Sequence, residues 1–500
     1  MANSIGLESH DLSADETMAF LRILVISTIA ATVARSQEQQ ALSAGSLFGS
    51  ILDRLRVSLI DIPNDLFGFW YNTAAAMGSG ILNSRPCKVQ ANEDADACRN
   101  VSEMIRSRGF EAEEHDITTK DGYIITIQRV INPLVAKEYR ARKRPVILQP
   151  GVSITGADYI INSVYVRPAP WPKEEQAQMS DSELSDAAKD QRHPRSLAFY
   201  LSNRGYDVFL ANHRGTVYGQ RHVNKSVVDP DFWNFSFDEQ IDHDVPETIA
   251  LVRRLTGHSK IAFVGWSQGA ASMFGLQADH PEYADIIEPF IALGPTPYLG
   301  KVDTVASRYL YPFFLPFNHA NMGLYFSDLS RYLLRQLCAP TSIQRQLCAQ
   351  LVLFPTFGPD RKGFEVDRIP TYMHHTPSGA SMKNVVQYPQ QHYANKFRRL
   401  DLGPAGNRLK YGRDDPPEYD VSRIRSESIV LFTADTDYLA NPRDINTLVT
   451  KLQVKPYRWF NITEDEPHEF SHISFVYSKK AGTLINERVF GVLEEFGLQQ

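Results

Sequence analysis

The pentapeptide Gly265-Trp266-Ser267-Gln268-Gly269 constrains this chain more than any other feature. It lies between an apolar run, Ile261-Ala262-Phe263-Val264, and a small-residue segment, Ala270-Ala271-Ser272-Met273, that reads as the start of a helix. A G-x-S-x-G sequence with a strand before it and a helix after it marks a sharp strand-to-helix turn. The glycines have a steric reason: a Cβ two residues to either side of the serine would strike neighbouring backbone. Such a turn holds the serine in a strained conformation with its Oγ above the sheet, and the helix directs its first N–H groups at any anion formed there. Alone, the pentapeptide is a pattern that chance supplies in about one of ten chains this long. Its setting gives it weight.

From about residue 110 the chain alternates strand and helix signals, the rhythm of an α/β fold. Residues 124–130 alternate as a strand, and Pro145-Val146-Ile147-Leu148 reads as a short buried strand ending at Pro150-Gly151. A helix over 196–203, a buried strand over 206–211 and a helix over 238–255 lead to the strand before Ser267. Strands at Ile429-Val430-Leu431-Phe432 and over 457–462 follow late, with a closing helix over 484–496. The expected core is therefore in two parts, 110–297 and 421–500. Two stretches break the rhythm. Residues 168–194 are rich in Glu, Asp, Gln, Lys and Pro and read as a solvated insertion. Residues 298–420 have no clear alternation but carry the runs 309–315 and 351–354, rich in aromatic and aliphatic residues, which suits a mostly helical cap inserted between strands of the sheet. There is no internal repeat.

Composition bounds the class. A hydrophobic fraction of 43% and a charged fraction of 22% are those of an ordinary folded body. The net charge of −6 argues against a nucleic-acid partner. Four cysteines fall as two local pairs, Cys87/Cys98 and Cys338/Cys348, neither of them a CxxC. In an oxidising compartment each pair can close a short loop. Residues 19–34 are apolar apart from Arg22, Ser27, Thr28 and Thr32, too short and interrupted for a membrane span but long enough for the core of a signal peptide, with Thr32-Val33-Ala34 as a cleavage site. The acidic residues Glu8, Asp11, Asp15 and Glu16 before it do not fit, whereas a start at Met18 gives a conventional signal. Residues 1–35 thus read as a signal peptide or N-terminal anchor, and 36–109 as an N-terminal extension whose apolar part, 57–82, packs on the body or on a lipid surface. The expected location is secreted or in the lumen of the endomembrane system, including the lysosome. Four Asn-x-Ser/Thr sequons, at Asn100, Asn224, Asn234 and Asn461, are compatible with this, although Asn234 sits in an aromatic run and reads as buried.

A serine hydroxyl needs a base to take its proton, and the base needs a carboxylate to fix its tautomer and stabilise its charge. On an α/β sheet the partners follow in the order Ser, Asp, His. The loop after the Phe432 strand, Thr433-Ala434-Asp435-Thr436-Asp437, offers Asp435 and Asp437; the segment Pro467-His468-Glu469-Phe470-Ser471-His472 offers His468 and His472. An oxyanion needs two N–H donors. Gln268, next after the serine, supplies one, and Val152 in the loop after the Pro145 strand supplies the other, so that the missing N–H of Pro150 is no obstacle. The string 468–472 also fits H-E-x-x-H, a zinc-protease pattern with Glu487 downstream as a third ligand, but Pro467 and the polar surroundings suit a loop better than a helix.

From about Glu111 to its end the chain resembles the acid lipases, that is gastric and lysosomal acid lipase and the related steryl-ester hydrolases. The resemblance is carried by Thr119-Lys120-Asp121-Gly122-Tyr123-Ile124, Gly205-Tyr206-Asp207-Val208-Phe209-Leu210 with Arg214-Gly215, Phe235-Ser236-Phe237-Asp238-Glu239, the G-x-S-Q-G around Ser267, His375-Thr376-Pro377-Ser378-Gly379 and Asp437-Tyr438-Leu439-Ala440, all in order. It implies an α/β-hydrolase fold with a cap and lid, Ser267 as nucleophile, Asp437 as acid and His472, in His472-Ile473-Ser474-Phe475, as base. It also implies neutral lipid esters as substrates, met at a lipid–water interface with peripheral contact to a membrane or lipid droplet, and no cofactor or metal. Two positions depart from the family: Trp266 stands where His is usual, and Pro150-Gly151 where His-Gly is usual. These departures bear on substrate preference, pH optimum and rate, and they raise the alternative of a catalytically weak or silent lipid-binding homologue.

Overall fold

The computed structural model describes residues 94–171, 185–324, 338, 341–465 and 469–497. The segment read as a signal peptide or anchor, Met18, most of the N-terminal extension, Cys87, Pro467 and His468 lie outside these residues.

Eleven strands occur among the described residues: β1 (Glu111–Thr118), β2 (Tyr123–Ile131), β3 (Val146–Gln149), β4 (Val208–Leu210), β5 (Arg221–His222), β6 (Ile261–Trp266), β7 (Ile287–Leu293), β8 (Gly323–Leu324), β9 (Ala380–Ser381), β10 (Ile429–Thr433) and β11 (Arg458–Asn461). Nine form one sheet in the order β1-β2-β4-β3-β6-β7-β10-β11, with β5 also paired to β2, while β8 and β9 make a separate antiparallel pair. From β4 to β11 all neighbours are parallel, and β1 and β2 form an antiparallel edge. The parallel strands are covered on both faces, which is why β3, β4, β6 and β10 are buried at every residue and read as unbroken apolar runs. The edge strand β1 instead carries Glu111, Glu113, Glu114 and Asp116, charges that keep an exposed edge from pairing with other chains.

Side chains alternate between two core layers, as the two-residue period of a strand requires. Ile147, Phe263 and Phe290 face one layer, where Ile249 and Val252 of the Val245–Thr256 helix and Met273 and Phe274 of the Gln268–Asp279 helix pack. Leu148, Val264 and Ile291 face the other, against Phe199 of the Leu197–Ser202 helix and Val489, Val492 and Leu493 of the closing Glu487–Gly497 helix. The expected strands and helices of the core are present. The helix expected over 238–255 runs from Phe237 to Thr256, with a widened turn at Gln240–Asp244.

Four features differ from the sequence reading. Strand β7 was not expected, because Pro289 interrupts its apolar run, and a proline cannot donate to a ladder. The sheet accommodates it with a register shift: Ile261 pairs with Ile287 but Phe263 with Phe290, so the residues around the proline bulge out of the pairing. Strand β1 was also missed, since its acidic sequence carries too little apolar alternation. The end of the 168–194 insertion is not solvated loop: Asp186–Arg192 is helical, and buried Asp190 accepts the N–H groups of Val164 and Tyr165 and the hydroxyl of Ser163. Asn234 is exposed, not buried, because its neighbours Trp233 and Phe235 turn inward while its own oxygen takes a bond from Lys383.

Between β7 and β10 the described residues form short helices and the β8–β9 pair, the longest helices being Met382–Ala394 and Gly403–Tyr411. Tyr309 and Leu310 of the first aromatic run are exposed, and Leu353 and Phe354 of the second are buried. Cys338 and Cys348 form a disulfide there, and Cys98 is disulfide-bonded too.

Candidate active site

Ser267 joins β6 to the Gln268–Asp279 helix with φ 58° and ψ −120°, a conformation rare for a residue with a side chain. Its N–H bonds to the carbonyl of Leu293 at 2.9 Å, and its carbonyl accepts from Ala270 and Ala271. The two glycines are sterically enforced. A Cβ on Gly265 would lie 2.6 Å from the nitrogen of Ala270, and one on Gly269 would lie 2.3 Å from the carbonyl oxygen of Gln149. The second contact also shows that the helix start is pressed against the end of β3.

The loop after β3 therefore passes beside the serine. A Cβ on Gly151 would come within 3.2 Å of the Ser267 Cβ. Val152 follows, and then Ser153 at φ 57°, held by two bonds from outside the loop: the Ser378 N–H donates to its carbonyl and the Gly379 N–H to its hydroxyl. Gln268 opens the helix, where an N–H has no acceptor within the helix, and its side chain donates to Asn384 Oδ1 at 2.7 Å. Below the loop, the Pro150 carbonyl meets His213 Nε2 at 3.0 Å. Burial pushes the His213 imidazole towards its neutral form, although the Pro150 carbonyl opposes this.

Of the two aspartates, the structure joins Asp437 to the histidine. His472 Nδ1 and Asp437 Oδ2 are 2.8 Å apart, and both side chains are almost fully buried. Asp437 Oδ1 accepts the N–H groups of Leu439 and Ala440, so its acceptor edge is fixed by its own loop. Asp435 is exposed and bonds Asn461. The pair lies next to the elbow, since Gly294, one residue after the Leu293 carbonyl that holds Ser267, is so close that a Cβ there would be 3.0 Å from Asp437 Oδ2 and 3.2 Å from His472 Nδ1. His472 Nε2 is buried and has no hydrogen-bond partner. Residues 469–473 are not helical, and Glu487 pairs with His193, so the zinc-protease geometry of H-E-x-x-H is not formed by the described residues.

Several site residues had no signal in the sequence. Gly294 is one. Trp266 was noted only as a departure, but its indole Nε1 donates to the His472 carbonyl at 3.1 Å and its ring lies 5.8 Å from the imidazole. Asp360 accepts Ser474 Oγ at 2.6 Å, which ties down the turn after His472. Such contacts join residues far apart in the chain, and no local pattern announces them.

A serine elbow over this mostly parallel sheet defines an α/β-hydrolase. The family profile described as a partial alpha/beta-hydrolase lipase region matches residues 101–163, and the one described as alpha/beta hydrolase fold matches 187–346. Gastric triacylglycerol lipase of Bos taurus is 29% identical over 81% of this chain and 93% of its own length. Lipase lipl-3 of Caenorhabditis elegans is 28% identical over 79% and 91%, and human lipase member K 26% identical over 85% and 99%. Among solved structures, an alpha/beta hydrolase fold protein from Nakamurella multipartita aligns at 11% identity over 76% of this chain and 99% of that chain, with a TM-score of 0.39. The chain is thus similar to these lipases over most of its length, and it is a carboxylic ester hydrolase.

Proposed function

We propose that this protein hydrolyses neutral lipid esters, triacylglycerols or steryl esters, through an acyl-serine intermediate on Ser267. The observation that carries the reading is the buried Asp437–His472 hydrogen bond beside the elbow, with His472 Nε2 left unpartnered. Asp437 accepts Nδ1–H and so keeps the proton off Nε2, which makes that nitrogen the base. Nε2 takes the proton of Ser267 as Oγ attacks the ester carbonyl, and Asp437 stabilises the imidazolium. The N–H groups of Val152 and Gln268 receive the oxyanion. The imidazolium then gives its proton to the departing alcohol, and water activated by the same histidine releases the fatty acid.

The region 298–420 acts as the cap, with its exposed Tyr309 and Leu310 meeting lipid and its movement opening the site. Lipid esters are favoured because the similar gastric enzymes are named as triacylglycerol lipases. The protein works in a secreted or lumenal compartment, consistent with its disulfides. Among the described residues no helix is long and apolar enough to cross a membrane. The test is hydrolysis of triolein against cholesteryl oleate at pH 5 and pH 8, with Ser267→Ala as control. That variant should lose about 10⁴- to 10⁶-fold in kcat; activity retained without Ser267 would refute the assignment, and binding of lipid without turnover by the unmodified protein would favour a silent homologue.

A further inference from the structure

Asp158 takes no part in the reaction above, yet it joins the stretch that follows Val152 to the helix that follows His472. It lies in the Gly156–Tyr159 turn, six residues after Val152, and is 1% exposed. Its Oδ1 accepts the hydroxyl of Tyr477 and, at 3.0 Å, that of Thr376. Tyr477 ends the Ser474–Tyr477 helix that begins two residues after His472. Its ring meets the Trp266 ring edge-on at 6.2 Å, and Trp266 in turn holds the His472 carbonyl. Thr376 belongs to the segment whose Ser378 and Gly379 N–H groups fasten Ser153 of the oxyanion loop. The second carboxyl oxygen, Oδ2, is buried and has no partner.

We propose that Asp158 is a positioning residue that fastens the oxyanion loop, the helix after His472 and the 375–379 segment into one wall behind the reacting groups. The inference rests on the Ser267–His472–Asp437 reading. Two hydroxyls converge on one oxygen while the other meets no donor, an arrangement suited to a neutral acid and costly for a carboxylate held away from water. Burial pushes the group up to about 7, although the Thr376 hydroxyl and the N–H groups of Thr155 and of Asp158 itself work in the opposite direction. Its remaining neighbours leave it without an ion pair. The titratable groups nearest to it are phenols: Tyr477, Tyr159 beside it in the same turn, and Tyr372 from the Ile369–His375 helix, its ring centre 4.5 Å from that of Tyr477. Arg368, just before that helix, is held by Asp94 and Asp96; at the helix end His375 Nε2 meets the Asp96 carbonyl with His374 beside it, and His472 stands beyond Trp266. Above pH 7 the ionised carboxyl draws water to Oδ2, the three segments loosen, and the serine, base and oxyanion donors lose their alignment.

The test measures kcat and KM for p-nitrophenyl butyrate from pH 5 to pH 9 on the full chain, with thermal melts of each variant. Asp158→Asn keeps the acceptor and cannot ionise. It should match the unmodified protein within about threefold at pH 6, and the ratio of its kcat to that of the unmodified protein should rise about tenfold by pH 9. Asp158→Ala and Tyr477→Phe should lower kcat about 10- to 100-fold at pH 6 with KM nearly constant. Tyr477→Phe keeps the ring packing, so it reports even where Asp158→Ala fails to fold. A kcat ratio that does not change with pH, or Tyr477→Phe with unchanged kcat, overturns the proposal; so does Asp158→Asn impaired as badly as Asp158→Ala. Ser267→Ala in the same assay separates the two claims, because its loss of activity upholds the triad reading whatever Asp158 does.

Discussion

Asp158 also gives a prediction about stability that needs no enzymology. Its carboxyl titrates near 3.9 in an unfolded chain and at about 7 in the folded protein. Between these values the folded state holds a proton that the unfolded state has released. Raising the pH through that window therefore draws the equilibrium towards unfolding: the group's contribution is fully present below about pH 4, shrinks as pH rises, and is gone above about pH 7. Each pH unit within the window is worth about 1.4 kcal/mol, so from pH 5 to pH 8 the penalty grows by about 2.5 kcal/mol. Asp158→Asn removes it, since an amide of the same shape still accepts from Tyr477 and Thr376. For a folded body of some 400 residues the unfolding entropy makes this about 3 °C in Tm. The assay is a pair of thermal melts at pH 5 and at pH 8. The lead of the variant over the unmodified protein should widen by that amount at the higher pH. Equal gaps at the two pH values, or a narrower gap at pH 8, would refute the claim that the buried carboxyl is neutral in the fold.

Other outcomes follow from the same geometry. Gly294→Ala puts a Cβ against Asp437 and His472 at a backbone φ of +49°, and kcat should fall at least about 100-fold while the protein stays folded. Trp266→Phe keeps most of the ring but leaves the buried His472 carbonyl without its donor; we expect a loss of about 1–2 kcal/mol in thermal or urea unfolding and a drop of about tenfold in kcat. Arg214→Met strands Asp121 and Asp244, both of which the fully buried guanidinium holds, and should cost about 3–5 kcal/mol in urea unfolding.

The sheet was legible where its strands are buried on both faces, as at 146–148, 261–264 and 429–432, because burial on two sides demands an unbroken apolar run. It was illegible at β7, where Pro289 masks the run, and at β1, where charge protects an edge. The elbow could be read for a similar reason: its glycines answer to backbone atoms nearby in sequence or in an adjacent strand, and only one residue type fits. The order of Ser, Asp and His was likewise available, and the acid lipase resemblance singled out Asp437 and His472.

The sequence by itself thus determined much of the parallel sheet and the serine turn, and it offered an aspartate and a histidine in the order such a turn calls for. Which oxygen meets which nitrogen was decided only by tertiary structure. Gly294 has meaning because β7 and β10 are neighbours, and Trp266 because the turn after β6 passes under the His472 carbonyl. Asp158 has meaning because residues 218 and 319 positions further along the chain converge on one of its oxygens. Local patterns record what a residue's near neighbours require. A buried carboxyl shared by three distant segments is recorded only where the chain has closed upon it.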